Sequence, residues 1–399
     1  MAEDSVHTRR LPATAEPGRS AVAAQLCLSL DGPARCPGLS YRGMSSDSQV
    51  PAPNSQVPAI LQNAWQALGD RRQVTAMTEI SANVSTNRVY RVALSDGKEL
   101  IAKTSSYGSY IHFRQDHDLI HQWARGLAGT RFGGFLARMV KKDGHVFSYR
   151  ERNVWAVFYK KAPFYDFLPK LLTDAQVDAL AVEMAAFHAE SQRAASHMPS
   201  SWKNLGADIA ALYDVLGSAS WREEHTVGDR QESMLRAQCE TFLANSEELG
   251  SPWMRRIPVL VDWNIGNFSV GFDGGGFKLF SRWDYDWFRM APRVLDFYFC
   301  ARVVREDGDK TVFSYLTDPF FEKRFLRFLT VYHQHNPLEE EELLLLKEMY
   351  RFFVLNYVIR SGEHFFRPSY CSYLQREAVT KYLPQLDAID FRPLLKALD

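Results

Sequence analysis

The pattern of apolar and polar positions changes character twice along the chain. Residues 1–55 are rich in Ala, Pro, Ser, Gly and Arg and show little apolar periodicity. Such a segment buries too little to offset its chain entropy and is expected to be disordered; Met44 begins more ordinary sequence and is an alternative initiator. From residue 57 the pattern sharpens. VPAILQNAWQAL predicts a short helix. VTAMTEISANV, NRVYRVAL and KELIAKTSS alternate and are rich in β-branched residues, which predicts three strands. Ser95-Asp96-Gly97 is a hairpin signal between the last two. Residues 112–127 place Phe113, Leu119, Ile120 and Trp123 at helical spacing. GFLARMVKKDGHVFSY and NVWAVFYKK then predict two further strands. Five strands and an inserted helix make a small α+β lobe over residues 56–162.

Ala162-Pro163 ends the strand pattern, and residues 163–399 read as mainly helical. Thr173 to Gln176 fits a capping box ahead of VDALAVEMAAFHAE, whose apolar face runs through Val177, Leu180, Met184 and Phe187. Further helices are expected near 206–217 and 229–247, and again in FFEKRFLRFLTVYHQ and EEEELLLLKEMYRFFVLNYVIRSGEHFF. Between them VLVDWNIGNFSV and FKLFSRWDYDWF, joined by Asp273-Gly274-Gly275-Gly276, form a β insertion.

Bulk properties narrow the class. The chain has 399 residues, enough for two domains or one large two-lobed unit. Apolar content of 46% and charged content of 24% are those of an ordinary globular protein. A formal net charge of zero gives no reason to expect nucleic acid or an anionic membrane as partner. No run of about eighteen apolar residues predicts a transmembrane helix, and AVAAQLCLSL lies too far from the start, behind acidic residues, for a signal sequence. The five cysteines are scattered and form no C-x-x-C, which suits a reducing, cytoplasmic compartment. The sequence does not specify an oligomeric state.

Chemistry concentrates in the β insertion. Asp262 and Asn267 lie on the loop leaving one strand, Asp284 ends the strand that returns, and Tyr285-Asp286 follow. A hairpin brings such strand ends to one side. Carboxylate and amide oxygens suit Mg²⁺, which keeps waters and phosphate oxygens as further ligands. Lys103 is a lone cation among apolar strand neighbours. Either its stem snorkels to the surface or its ammonium enters a cleft and meets a carboxylate. Asp262 and Asn267 read alone would equally be loop-capping residues. Together the parts suffice for phosphoryl transfer, which asks mainly for positioning and charge stabilisation.

The order Asp-x-x-x-x-Asn, hairpin, Asp284-Tyr285-Asp286-Trp287 resembles the aminoglycoside phosphotransferase and choline/ethanolamine kinase superfamily. MAAFHAES with His188 is similar to that superfamily's Leu-Ala-x-Leu-His helix, Leu295-Asp296-Phe297 to its later helix start, and SANVSTNRVYRV to its nucleotide-loop hairpin. The resemblance spans about residues 57–370. It implies a two-lobed protein-kinase-like α+β fold, with a small antiparallel-sheet lobe and a larger helical lobe. It implies ATP and Mg²⁺, with Asp262 as base, Asn267 and Asp284 as metal ligands, and Lys103 on the α/β-phosphates. Ser85, Thr86 and Asn87 would cover the nucleotide, and Asp116 would pair with Lys103. His188 and Asp296 are expected to be structural. The superfamily's histidine two residues before the base is Leu260 here, and the loop from Ala82 to Asn87 lacks glycine.

The acceptor is expected to be a small hydroxyl compound, with Asp286, Trp287, Tyr357, Arg360 and Glu363 as candidate lining. An acid beside aromatic faces favours an amino alcohol or amino sugar. A pseudokinase that keeps the fold without transfer is the rival reading, supported by Leu260 and the glycine-free loop. A protein kinase is the third; no activation segment of the Asp-Phe-Gly to Ala-Pro-Glu kind follows Asp284.

Overall fold

The computed structural model describes residues 56–82, 85–224, 228–309 and 314–399. The expectation of disorder over 1–55, the alternative start at Met44 and loop positions 83–84 lie outside the described residues. The fold is α+β and two-lobed. Helix α1 (Val57–Leu68) opens with Pro58 in its first turn and closes on Gly69 at φ 77°, a left-handed cap that glycine adopts without a Cβ penalty. Its apolar stripe, Leu61, Ala64, Trp65 and Leu68, packs into one core with Val92, Leu100, Ala102 and Phe158 of the sheet.

Strands β1 (Val74–Glu79), β2 (Arg88–Leu94) and β3 (Glu99–Ser105) form an antiparallel meander. The expected hairpin turn is present: Gly97 sits at φ 76° and Lys98 N–H donates to the Asp96 side chain at 3.1 Å. Helix α2 (Tyr110–Gly126) is capped by the Ser109 hydroxyl and follows β3. The single strand expected over residues 134–149 is broken instead. Asp143 at φ 50° and Gly144 at φ 84° fold it into a tiny hairpin, β4 (Lys141–Lys142) against β5 (His145–Val146), so that only β6 (Ser148–Glu151) joins the sheet. Strand β7 (Val154–Lys160) completes five strands in the order β1-β2-β3-β7-β6. Lys103 on β3 lies opposite Val89 and Val157, in the middle of this sheet.

The larger lobe is built around helix α3 (Asp174–Ala195), whose capping box between Thr173 and Gln176 is fully formed. Trp123 of α2 donates to Ser191 of α3 at 3.1 Å, tying the first lobe's helix to the second lobe. Helices α4 (Leu205–Val215), α5 (Ala219–Glu224) and α6 (Asp229–Glu248) follow; α5 has no counterpart in the sequence reading. Strand β8 (Ile257–Val259), the hairpin β9 (Phe268–Asp273) and β10 (Gly276–Arg282), and β11 (Arg289–Ala291) form the β insertion. β8 pairs with β11 and β9 with β10. Then come α7 (Phe297–Val303), α8 (Lys323–His335) and α9 (Glu340–Phe353), the last running on as π-helical turns over Val354–Arg360, and the short helices α10 (Gly362–Phe365), α11 (Pro368–Glu377) and α12 (Leu383–Asp387). These elements share one large apolar core. Among the described residues no helix is long and apolar enough to cross a membrane.

Candidate active site

The two short pairings of the β insertion deliver both loops to one place. β8 ends at Val259, and the chain turns at Leu260–Asp262 before the single 3₁₀ turn Ile265–Asn267. β10 ends at Arg282, and Asp284 to Asp286 follow. Two residues carry left-handed backbone there: Val261 at φ 63° and Asp284 at φ 66°. Each costs about 1–3 kcal/mol and persists only where surroundings over-determine it. The surroundings are visible. Asp296 accepts from the Val261 N–H at 2.6 Å, and its other oxygen lies 2.9 Å from His188 Nε2. His188 Nδ1 lies 2.8 Å from the Tyr332 hydroxyl. All three partners are fully buried. Because a carboxylate only accepts, His188 donates to Asp296 through Nε2, and in the neutral ring Nδ1 accepts a hydrogen bond from the Tyr332 hydroxyl. His188 and Asp296 thus brace the loop carrying Asp262, the structural part expected of them.

Arg282 joins the loops directly. It is fully buried, and its Nη2 donates to the main-chain carbonyls of Asp262 at 2.7 Å and Asp284 at 3.0 Å. Its Nε and Nη1 find no acceptor among the described residues, and its guanidinium lies 5.6 Å from the Trp263 ring centre. Sequence reasoning missed this residue. The only signal was an arginine at the end of an apolar strand, where a charge is rarely buried without a task.

Burial pushes the Asp262 carboxyl up to about 6, with Asp284 adding to the rise and Arg282 opposing it. Both internal hydrogen bonds to this side chain, from the N–H and side-chain amide of Asn264, fall on Oδ1. Asn267 is fixed by its backbone. Its N–H donates to Asn264 O at 2.9 Å and its carbonyl accepts from Trp283 N at 3.0 Å.

Lys103 reaches across from the sheet. Its Nζ lies 3.0 Å from Asp284 and 2.5 Å from Asp286. Burial alone would lower its affinity for a proton, but the two carboxylates raise it. The same ammonium holds Asp284 below the ordinary carboxylate range against the effect of burial, whereas burial and the nearby Asp284 push Asp286 up. Lys103 is therefore a cleft lysine, not a snorkelling one. Two carboxylates sharing one ammonium leave this end of the site short of positive charge. Asp284, with the Asn267 amide from the adjoining loop, offers the hard oxygens a divalent cation takes while keeping its waters. Among the described residues no three His, Cys, Asp or Glu cluster so as to hold a metal ion by themselves.

Two expectations need correction. Asp116 does not pair with Lys103: it forms an ion pair with the buried Lys203 at 2.8 Å, and Lys203 also donates to Phe288 O at 2.7 Å. Lys103 already has its two carboxylates, and the face of α2 carrying Asp116 meets the segment before α4 instead. The five candidate acceptor residues also separate. Asp286 and Tyr357 line a cleft with Trp202, Lys203, Asp208 and Arg289. Trp287 is core, stacked on Tyr357 at 4.9 Å and packed against Phe299 and Phe353. Arg360 and Glu363 line a neighbouring cavity with Leu212, Val215 and Trp221. Arg360 Nη1, from the second cavity, meets Asp208, from the first, at 2.8 Å.

The loop before β2 also makes contacts that were not foreseen. Ser85 forms a β-bridge with Phe366, the Thr86 hydroxyl donates to His364 O, and the Asn87 amide donates to Asp286 at 2.7 Å. The small lobe is thereby fastened over the cleft to the helical lobe.

The sequence matches no protein-family model and no curated protein. Solved structures do resemble it. An amicoumacin kinase in complex with AMP-PNP and Ca²⁺ superposes with a TM-score of 0.55 at 15% identity, covering 83% of this chain and 99% of that one. A microcompartment-associated aminopropanol kinase gives 0.54 at 16% identity, covering 85% and 98%. A Plasmodium vivax ethanolamine kinase gives 0.50 at 12% identity, covering 80% and 83%. The likeness runs through nearly the full length of the first two, so this chain has the two-lobed fold of the small-molecule kinases.

Proposed function

We propose that this chain is an ATP- and Mg²⁺-dependent O-phosphotransferase acting on a small hydroxyl compound, with Asp262 as the base. One observation carries the reading most. Arg282 locks the Asp262 and Asp284 loops together, while Lys103, from the opposite lobe, meets Asp284. A base, a metal-type carboxylate and a phosphate-type cation converge without any apolar structural need for them.

Asp284 and Asn267 would hold the metal, which on binding neutralises phosphate charge. Lys103 would exchange a carboxylate for phosphate oxygens. Asp262 uses Oδ2 to take the acceptor's hydroxyl proton, Oδ1 being engaged by Asn264. The new oxygen–phosphorus bond forms as the bond from phosphorus to the departing nucleoside diphosphate breaks, and the proton stays on Asp262. Ser85, Thr86 and Asn87 would cover the nucleotide after giving up their present partners. The kinases of similar fold are named for aminopropanol, ethanolamine and amicoumacin, which supports a small-molecule acceptor.

Leu260 and the spent side chains of Thr86 and Asn87 support the second reading, a pseudokinase held closed without transfer. Slow nucleotide hydrolysis and nucleotide binding in two variants separate the readings. Asp262→Ala is expected to bind Mg²⁺–ATP as wild type does and to lose turnover. Asp284→Ala is expected to lose metal-dependent binding. Wild-type behaviour from both variants would discard the site.

A further inference from the structure

The cleft beside Asp286 is electrically lopsided. At the metal end, Asp284 and Asp286 share Lys103, leaving one negative charge in excess. In the middle, Asp116 and Lys203 balance. At the far end, one acid serves two arginines: Asp208 accepts from Arg289 Nη2 at 2.6 Å through one oxygen and from Arg360 Nη1 at 2.8 Å through the other. That end keeps one positive charge in excess. Arg360 is partly exposed, but Arg289 is buried and shares its one carboxylate, and a buried cation with a shared counter-charge gains from a further anion.

The unmet groups point the same way. Arg289 lines the cleft and is only 2% exposed, yet its Nε and Nη1 have no hydrogen-bond acceptor among the described residues. The rings of Phe352 and Tyr357, 4.6 and 5.7 Å from the guanidinium, attract the cation but offer no lone pair. Trp202 Nε1, from a second lining residue, is likewise buried without an acceptor. Three donors and a surplus cation in one cleft lack the same thing, an anionic acceptor of hydrogen bonds.

We infer that the phosphoryl acceptor is a hydroxy acid, whose carboxylate docks on Arg289 beside Trp202 while its hydroxyl faces the phosphoryl-transfer end. This rests on the phosphotransferase reading and replaces the amino alcohol or amino sugar expected from sequence. Asp286 and Asp208, the acids lining that cleft, are already held by Lys103 and by Arg289 with Arg360 and are poor counter-charges for a free amine.

The test compares molecules that differ only by a carboxylate: serine with ethanolamine, and homoserine with 3-aminopropanol. Thermal unfolding of the full chain is measured with each compound at tens of millimolar, with and without Mg²⁺–AMP-PNP, and ADP release is followed with Mg²⁺–ATP. The acids are expected to raise the melting temperature even without nucleotide. They are expected to exceed their amino alcohols roughly tenfold or more in affinity or kcat/KM, since a site built for a charged hydrogen-bonding group rejects the analogue lacking it. Arg289→Met is expected to erase that preference. Equal binding within a pair, preference for the amino alcohol, or no response to either acid overturns the inference, and the wild-type comparison decides this even if Arg289→Met does not fold. Failure of the phosphotransferase reading looks different: no response to Mg²⁺–AMP-PNP, whatever the acids do.

Discussion

On the proposed reading, Asp262 is the residue on which both chemistry and stability turn. Its carboxyl titrates at about 6, above its ordinary 3.8, mainly because it is buried. A base works only when ionised, so kcat/KM is expected to fall about tenfold per pH unit below pH 6. An acid limb near pH 4 in a pH–rate profile would contradict this. The stability consequence has a definite sign. The folded state binds the proton more tightly than the unfolded chain, so stability drops as pH rises from about 4 to 6 and stays lowered above. Asp262→Asn is therefore expected to stabilise the protein at pH 8 by on the order of 1–3 kcal/mol, and not at pH 4. Equal melting-temperature changes at both pH values would refute it. Arg282 offers the complementary case. Removing a buried cation strands the groups it compensates, here the carboxylates of Asp262 and Asp284, and the two carbonyl bonds of Arg282 set the spacing of the loops that carry them. Arg282→Met is expected to cost roughly 3–5 kcal/mol of stability and, in the protein that remains folded, to lower kcat about 10²-fold, the scale of a misplaced reacting group. A kcat within twofold of wild type would deny Arg282 its positioning role.

At the scale of elements, local signals were legible and partners were not. The span of α1, the turn at Ser95-Asp96-Gly97, and the capping box of α3 follow from residues within a few positions of one another. The convergence of Asp262 and Asp284 was legible too, because a hairpin fixes which strand ends meet. The broken strand over residues 134–149 was not, since Asp143 and Gly144 had to outweigh a long apolar run. Nor was the Asp116–Lys203 pair, set by how α2 docks on the second lobe. The cleft beside Asp286 gathers Trp202, Asp208, Arg289 and Tyr357 from four separate segments, and no local pattern announces that. The brace from α3 makes the dependence measurable. His188→Leu leaves Asp296 buried with one partner fewer, and is expected to cost roughly 3–5 kcal/mol in chemical denaturation. A loss below about 1 kcal/mol would mean that the Val261 turn holds without it.

For the whole molecule, polar links join the two lobes both away from the site, as from Trp123 to Ser191 and Asp116 to Lys203, and within it. Lys103 to Asp284 and Asp286, and Asn87 to Asp286, fasten the small lobe to the large one. On the proposed reading, nucleotide and metal compete for these contacts. A ligand that binds only the folded state raises its apparent stability by an amount set by concentration over affinity. The most direct measurement is thermal unfolding of the wild-type chain and of Asp284→Ala, with and without millimolar Mg²⁺–ATP. A rise in melting temperature that needs the metal in wild type and disappears in Asp284→Ala is the predicted result. No rise in wild type, or the same rise in both proteins, would contradict a metal–nucleotide site at Asp284.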